Sequence, residues 1–219
     1  MEIFNKYKSV IASNQYLKSF VLSIIMLAAS LFINYFAGSY ATERASNPVT
    51  DLILNNIPVF DIDGIFIYGA VAMVAFIAFV TLPEPRQIPF VAKNIALFVF
   101  IRSFFISFTH LGLIPDQIAP PAHNILGWFT FGGDLFFSGH TGLPFLMALI
   151  FWNNNKILRY IFIALSIFFA VVVLLGHFHY SIDVFSAFFI TYSIYKIAET
   201  IFKKDHRMFL SGVSMPTTS

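Results

Sequence analysis

The sequence predicts an all-α, polytopic membrane protein with six transmembrane helices. Of its 219 residues, 58% are hydrophobic and only 11% are charged, whereas a soluble domain has roughly 25% charged residues. The apolar residues also cluster into six runs, each about as long as the ~20 residues that a helix needs to cross a bilayer. No soluble domain of useful size remains between these runs.

The six runs divide the chain into three predicted parts. A cytoplasmic N-terminal segment covers residues 1–19, a six-helix transmembrane catalytic domain covers 20–202, and a cytoplasmic tail covers 203–219. The fourth run is short and contains Gly139, Gly142 and Pro144, so we expect its helix to begin within the membrane boundary. In chain order, the predicted spans are 20–37, 65–82, 94–113, 138–152, 157–175 and 181–202.

The positive charges predict the orientation. All lysines and arginines except Arg44, Arg102 and Lys196 lie in or beside residues 1–19, 83–93, 153–158 and 203–219, and Lys196 lies in the last third of the sixth span, near 203–219. Cytoplasmic connections are enriched in these residues, so we expect both termini in the cytoplasm. The remaining connections then face the periplasm, the lumen or the cell exterior. Short tails, a small size and the lack of a glycosylation sequon favour a bacterial inner membrane.

Composition also excludes several classes of function. No basic stripe is interleaved with exposed aromatic residues, so no nucleic-acid partner is expected. Cysteine is absent, which excludes disulfides and thiolate metal sites.

A short helix is predicted in the first non-cytoplasmic connection. Asn47 resembles an N-cap, Pro48 suits the first helical position, and Asp51 supplies an acid in the first turn. The apolar residues 52–54 would place this helix on the membrane interface.

Most histidines lie on the predicted non-cytoplasmic side, where Asp183 also lies one turn into the sixth span. Ionisable residues within a membrane are penalised by lipid, so they usually serve a function. We therefore expect a single site near the outer leaflet. The five histidines on that side are His110, His123, His140, His177 and His179.

The start of the fourth span suits an anion. Ser138 is a good N-cap, and Gly139 allows close approach to the backbone. A helix beginning here directs unpaired N–H groups at a phosphate, and His140 in its first turn can donate a proton to a leaving oxygen. The alternative is a capped helix whose histidine merely faces lipid headgroups.

His179 and Asp183 form a second group of candidate site residues. Their i, i+4 spacing places both side chains on one helix face, where the carboxylate can orient the imidazole for attack on phosphorus. One alternative is a structural His–Asp hydrogen bond. Another is a zinc site formed by His177, His179 and Asp183.

Arg102 is embedded in the third span, at a cost of about 2.5–3.5 kcal/mol on insertion scales. A partner is therefore expected, and the candidates are Asp183, Asp134, Glu199 and a lipid phosphate.

Two stretches resemble a known family. Asp134-Leu-Phe-Phe-Ser-Gly-His-Thr141 and His177-Phe-His-Tyr-Ser-Ile-Asp-Val184 are similar to the third and fourth motifs of the sphingomyelin synthase family, a branch of the type 2 phosphatidic acid phosphatase superfamily. Weaker matches lie at Arg102 with Thr109 and Pro115, and at residues 57–61. The resemblance covers about residues 40–195.

This resemblance implies a type 2 phosphatidic acid phosphatase-like core with a His–His–Asp triad. His179 would be the nucleophile, Asp183 its orienting partner, and His140 the acid and then the base. The family transfers phosphocholine from phosphatidylcholine to ceramide, so a phospholipid donor and a lipid acceptor are the expected partners. Neither metal nor cofactor is expected, and no oligomeric state is predicted. The predicted substrate-binding residues are Asp134, Ser138, Gly139, Thr141, Arg102 and His177.

Some features depart from the superfamily. Its Lys-x6-Arg-Pro motif is absent, and Val172 and Val173 replace the Ser-Arg before the second histidine. Both losses remove cations that would hold a phosphate monoester, which favours diester substrates. Gly132 stands where the family has cysteine.

The leading hypothesis from these motifs is a lipid phosphotransferase. Its alternatives are a phosphatase or phospholipase C-like hydrolase with water as acceptor, and a non-catalytic lipid-binding or transport protein.

Overall fold

A computed structural model describes residues 2–114 and 133–211, and these ranges contain helices and no strands. One-turn 3₁₀ helices lie at Leu54–Asn56 and Pro85–Gln87. The all-α fold class is thus confirmed. The α-helices are α1 (Glu2–Ile11), α2 (Asn14–Glu43), α3 (Asp63–Thr81), α4 (Ile88–Phe108), α5 (Gly139–Ile150), α6 (Lys156–Leu175), α7 (Ser181–Ile201) and α8 (Lys203–Ser211).

Four helical segments are long and apolar enough to cross a membrane: α2, α3, Pro85–Phe108 and α6. The helix α5 is apolar but has only 12 residues, which is about 18 Å of helix against a hydrocarbon thickness of about 30 Å. The helix α7 has 21 residues but includes polar side chains such as Asp183 and Lys196. The four segments and the two further helices are compatible with six spans, and the count of six stays a prediction.

The helix α5 lies at the centre of the molecule and packs against α4, α6 and α7. Its residues Leu146, Met147 and Ala148 are completely buried. Large apolar residues on α2 and α3 are instead exposed, as expected where helices face lipid. The centre of the fold is therefore the helix that begins with the Ser-Gly-His-Thr sequence.

A buried ion pair ties the C-terminal helix to the bundle. Lys93 of α4 lies 2.6 Å from the carboxylate of Asp205 on α8, and both are at least nine-tenths buried. The Lys93 ammonium also donates to Ser19 Oγ at 2.7 Å, and Ser19 in turn donates to Asp205. The described parts of the two end segments, residues 2–19 and 203–211, are thus largely helical and packed on the bundle, although the predicted division at residues 19 and 203 stays a prediction.

The predicted helix after Asn47 is wrong. Residues 45–50 have no helical structure, and the only turn of helix in this connection spans Leu54–Asn56. The capping group is Asp51, whose Oδ1 accepts from the amides of Ile53 and Leu54 at 2.9 and 3.1 Å. Leu54 is buried and Leu52 is 84% exposed, so these residues share no single apolar face.

Residues 44–62, which we call the first connecting loop, are held by backbone hydrogen bonds to distant segments. Ser46 donates to His110 O at 3.1 Å, and Phe60 donates to Leu175 O at 2.9 Å. Gly112 approaches Asn47 so closely that a Cβ would lie 2.3 Å from a backbone carbon, which explains glycine there. The loop therefore lies against the ends of α4 and α6.

Candidate functional site

The starts of α5 and α7 are joined directly. The Ser138 amide donates to the Asp183 carbonyl at 3.0 Å. The Ser138 hydroxyl accepts from the Thr141 amide at 3.3 Å, which satisfies one of the free N–H groups at the start of α5. The first turn of α5, which carries His140, and the first turn of α7, which carries Asp183, are therefore neighbours. His179 lies just before α7, so the predicted placement of His179 and Asp183 on one helix face is wrong.

His140 is positioned by aromatic rings. Its imidazole stacks on Phe66 of α3, with ring centroids 4.0 Å apart and an interplanar angle of 24°. Phe66 also stacks on Phe178, 4.1 Å away, so one ring links His140 to the turn before α7. The Nε2 of His140 is buried without a hydrogen-bond partner, and the ring interacts electrostatically with His179 and Arg102.

His179 faces the carboxylate of Asp183. Its Nδ1 lies 3.6 Å from Asp183 Oδ2, slightly beyond hydrogen-bond length; such contacts often shorten when substrate binds. Asp183 is completely buried, and its Oδ2 also accepts from the Tyr180 amide at 2.9 Å. Asp183 thus caps α7 and faces the Nδ1 edge of His179, which directs Nε2 away from the carboxylate.

Arg102 holds the segment before α5. Its Nη1 lies 2.6 Å from Asp134 Oδ1, while Nη2 and Nε donate to the carbonyls of Asp134 and Phe137 at 3.0 and 2.7 Å. The side chain is 10% exposed. Of the three protein side chains expected as partners for Arg102, Asp134 is the one in contact. The guanidinium therefore holds residues 134–137 in place.

The surroundings restrict Gly139 less than they restrict Thr141. A Cβ at Gly139 would make only ordinary contact with Arg102, at 3.5 Å, so packing does not by itself require glycine. Thr141 is completely buried, its carbonyl accepts from Ser166 Oγ at 2.8 Å, and its own hydroxyl has no partner.

His177 lies just before this site in an unusual conformation. Its φ is 52°, in the left-handed region that non-glycine residues rarely adopt. The preceding Gly176 approaches Phe178 so closely that a Cβ would lie 2.2 Å from its ring. The tight turn 176–180 thus sets the positions of both His177 and His179.

Two residues that the sequence does not mark as part of the site, Asp51 and Tyr180, hold the first connecting loop to the start of α7. The Oδ2 of Asp51 accepts from the amide and hydroxyl of Ser181 at 2.7 and 2.8 Å. Tyr180 donates from its hydroxyl to Gly112 O at 2.9 Å and accepts from the Val49 amide at 3.2 Å. These contacts fasten the first connecting loop to the start of α7.

The Asp51 carboxyl is ionised at neutral pH. Burial alone would raise its pKa, but hydrogen bonds from Ser181 and from the amides of residues 53 and 54 together hold the pKa below its ordinary value. No local pattern identifies this tether, because Asp51 and Ser181 are 130 positions apart.

His110 is not part of this arrangement, since its ring contacts Ser107 O at 3.0 Å and packs on Tyr40. His123 lies outside the described residues. Within residues 2–114 and 133–211, no three His, Cys, Asp or Glu side chains are grouped to hold a metal ion, so His177, His179 and Asp183 do not form such a group.

In this all-helical fold, His140 in the first turn of α5 and His179 just before α7 mark a candidate site for a lipid phosphate. Residues 132–200, just under a third of the chain, match the family described as PAP2 superfamily C-terminal. This segment contains His140, His179 and Asp183. No curated protein and no solved structure matches the chain. The match supports the type 2 phosphatidic acid phosphatase superfamily, whose members are generally phosphatases or phosphotransferases, and does not specify the sphingomyelin synthase branch.

The Arg102 contacts predict a loss of stability on mutation. Arg102→Gln leaves the Asp134 carboxylate without its cation and frees two carbonyls. Breaking a buried ion pair costs about 3–5 kcal/mol, so the melting temperature of the purified protein in detergent should fall clearly. Arg207→Gln, at an exposed arginine of α8, is the control. Equal melting temperatures for the two variants would contradict the holding role of Arg102.

Proposed function

We propose that this protein is a membrane lipid phosphotransferase of the sphingomyelin synthase type. It moves a phospho-headgroup from a glycerophospholipid to a ceramide- or diacylglycerol-like acceptor. The observation that carries the proposal is the hydrogen bond from Ser138 to Asp183, because it joins the first turn of α5, which carries His140, to the start of α7, directly after the turn that carries His179.

In the first step, His179 is the nucleophile. Its Nε2 lone pair attacks phosphorus and forms a P–N bond, while the P–O bond to diacylglycerol breaks. His140 donates a proton to the leaving oxygen. Asp183 orients the His179 ring through Nδ1 and stabilises the positive charge that develops on it.

In the second step, the acceptor lipid takes the place of diacylglycerol. His140, now neutral, removes the proton of the acceptor hydroxyl, whose oxygen attacks phosphorus. A new P–O bond forms, the P–N bond to His179 breaks, and both imidazoles return to their starting states. The reaction is therefore ping-pong, with a phosphohistidine between its halves.

The charges near the site favour a phosphodiester. A diester phosphate carries one negative charge, whereas a monoester approaches two. Arg102 is already engaged by Asp134 and by two carbonyls. The start of α5 supplies further positive potential, since N–H groups and the helix dipole point at an anion there. Gly139, Ser138 and Thr141 are the residues proposed to face the phosphate.

The second candidate is a hydrolase on the same scaffold, and the superfamily match favours it because that superfamily includes phosphatases. Water would replace the lipid acceptor in the second step. The same residues would carry both half-reactions, so the acceptor alone distinguishes the two functions.

An assay with and without acceptor tests the proposal. Purified protein in mixed micelles with phosphatidylcholine should release diacylglycerol much faster when ceramide is present, and sphingomyelin should form in equal amount. Diacylglycerol release at the same rate without ceramide would contradict transfer and support hydrolysis. His179→Ala should lower both products by about 10⁴-fold or more, while His110→Ala should stay near wild type. Unchanged lipid turnover in His179→Ala would favour a non-catalytic function.

A change of leaving group tests His140. His140→Ala should slow reaction with phosphatidylcholine by about 10²–10⁴-fold, because the diacylglycerol oxygen needs a proton. The same variant should be much less impaired in single-turnover release of p-nitrophenol from p-nitrophenyl phosphocholine, whose leaving group is stable as an anion. His179→Ala should fail with both donors. Equal losses with both donors in His140→Ala would mean that the ring acts only by packing on Phe66.

We also propose that the site faces the non-cytoplasmic side, with both termini in the cytoplasm. The chain has no cysteine, so single cysteines report topology directly. In spheroplasts of a bacterial host, a membrane-impermeant maleimide should label Leu52→Cys, at an 84% exposed position, and should leave Lys204→Cys unlabelled until the membrane is permeabilised. The opposite pattern would reverse the orientation.

A further inference from the structure

His177 is a buried side chain that the proposed catalytic steps leave unused. It is 3% exposed, and neither Nδ1 nor Nε2 has a hydrogen-bond partner. Burying unpaired polar atoms costs free energy, and the φ of 52° adds backbone strain. Costs of this kind concentrate where a ligand later supplies the missing partners.

A cavity of about 440 Å³ lies beside this residue. His177 and Tyr180 line it together with residues of the first connecting loop, among them Asp51, Pro48 and Pro58. Its volume is in the range of about 300–1,000 Å³ that small-molecule pockets occupy. Because residues 177 and 180 flank His179 in the tight turn, the cavity adjoins the segment that carries the proposed nucleophile.

The charges around the cavity select against anions. The described residues that line it include no lysine or arginine, but they do include Asp51 with its carboxylate. Both oxygens of Asp51 are occupied by N–H and O–H donors, so its hydrogen-bonding capacity is used while its negative charge remains. His177 offers one donor and one acceptor when neutral, and the prolines offer apolar walls. These surroundings suit a hydroxyl or amine on a short carbon chain.

We propose that this cavity holds the alcohol part of the donor headgroup, either uncharged or cationic, and that His177 selects it by hydrogen bonding. The inference rests on the proposed function. While phosphorus is bonded to His179, the headgroup alcohol stays attached through its own P–O bond and needs space beside the turn. A phosphate monoester, which has no such group, would leave the cavity empty.

Binding to an inactive protein tests this without any turnover. In a His179→Ala background, thermal unfolding is followed during titration with five dihexanoyl lipids. These are phosphatidylcholine, phosphatidylethanolamine, phosphatidylglycerol, phosphatidylserine and phosphatidylmethanol. Phosphatidylserine differs from phosphatidylethanolamine by one carboxylate, and phosphatidylmethanol has almost no headgroup. His177→Gly is then added, since glycine accepts the left-handed backbone without strain; His206→Ala is the matched histidine control.

At least one of the ethanolamine and glycerol lipids, whose headgroups carry N–H or O–H groups, should bind about tenfold more tightly than phosphatidylmethanol. The choline headgroup has neither group and cannot hydrogen-bond to His177. Phosphatidylserine should bind more weakly than phosphatidylethanolamine. His177→Gly should remove the advantage over phosphatidylmethanol, and His206→Ala should keep it. Equal binding of all five lipids, no binding of any, tighter binding of phosphatidylserine, or an advantage that survives His177→Gly would each overturn the assignment. The ceramide assay judges the transfer reaction separately, since these titrations involve no turnover.

Discussion

The hydrogen bond between the Ser138 amide and the Asp183 carbonyl, 3.0 Å long, joins the two helix starts on which the candidate chemistry depends. Each helix start is capped in its own way, α5 by the Ser138 hydroxyl and α7 by the Asp183 carboxylate. Since Asp183 also faces His179, the carboxylate that caps the start of α7 is the one proposed to orient the nucleophile. Helix capping and orientation of the imidazole are thus served by the same few atoms.

Elements outside the two helices hold this arrangement in place. Arg102 fixes the segment that leads into α5, and Asp51 fixes the first connecting loop to the start of α7. Phe66 links His140 to the turn before α7 by stacking. Several buried polar atoms nevertheless remain unpartnered among the described residues, including His140 Nε2 and Asp183 Oδ1. Such atoms are expected where a ligand completes the hydrogen bonding.

The sequence predicted the helices well where the apolar runs had clear ends. The span predicted at 157–175 is observed as Lys156–Leu175, and the one predicted at 181–202 as Ser181–Ile201. The Ser138 cap was also predicted, because capping depends on a few adjacent residues. The short helix after Asn47 was wrongly predicted because Asp51 bonds to Ser181, a partner far away in the chain. Local patterns carry no information about such a partner. For the same reason, three protein side chains were candidate partners for Arg102 from sequence, and only the fold identifies Asp134 among them.

The most direct test of the central claim is an experimental structure of the purified protein with orthovanadate, which mimics phosphorus with five ligands. The account predicts vanadium bonded to Nε2 of His179, with the His140 ring within hydrogen-bond distance of an oxygen on the opposite side. Vanadate bound elsewhere, or held by His179 with the His140 ring too far away to reach it, would contradict the claim that both imidazoles serve one phosphorus atom.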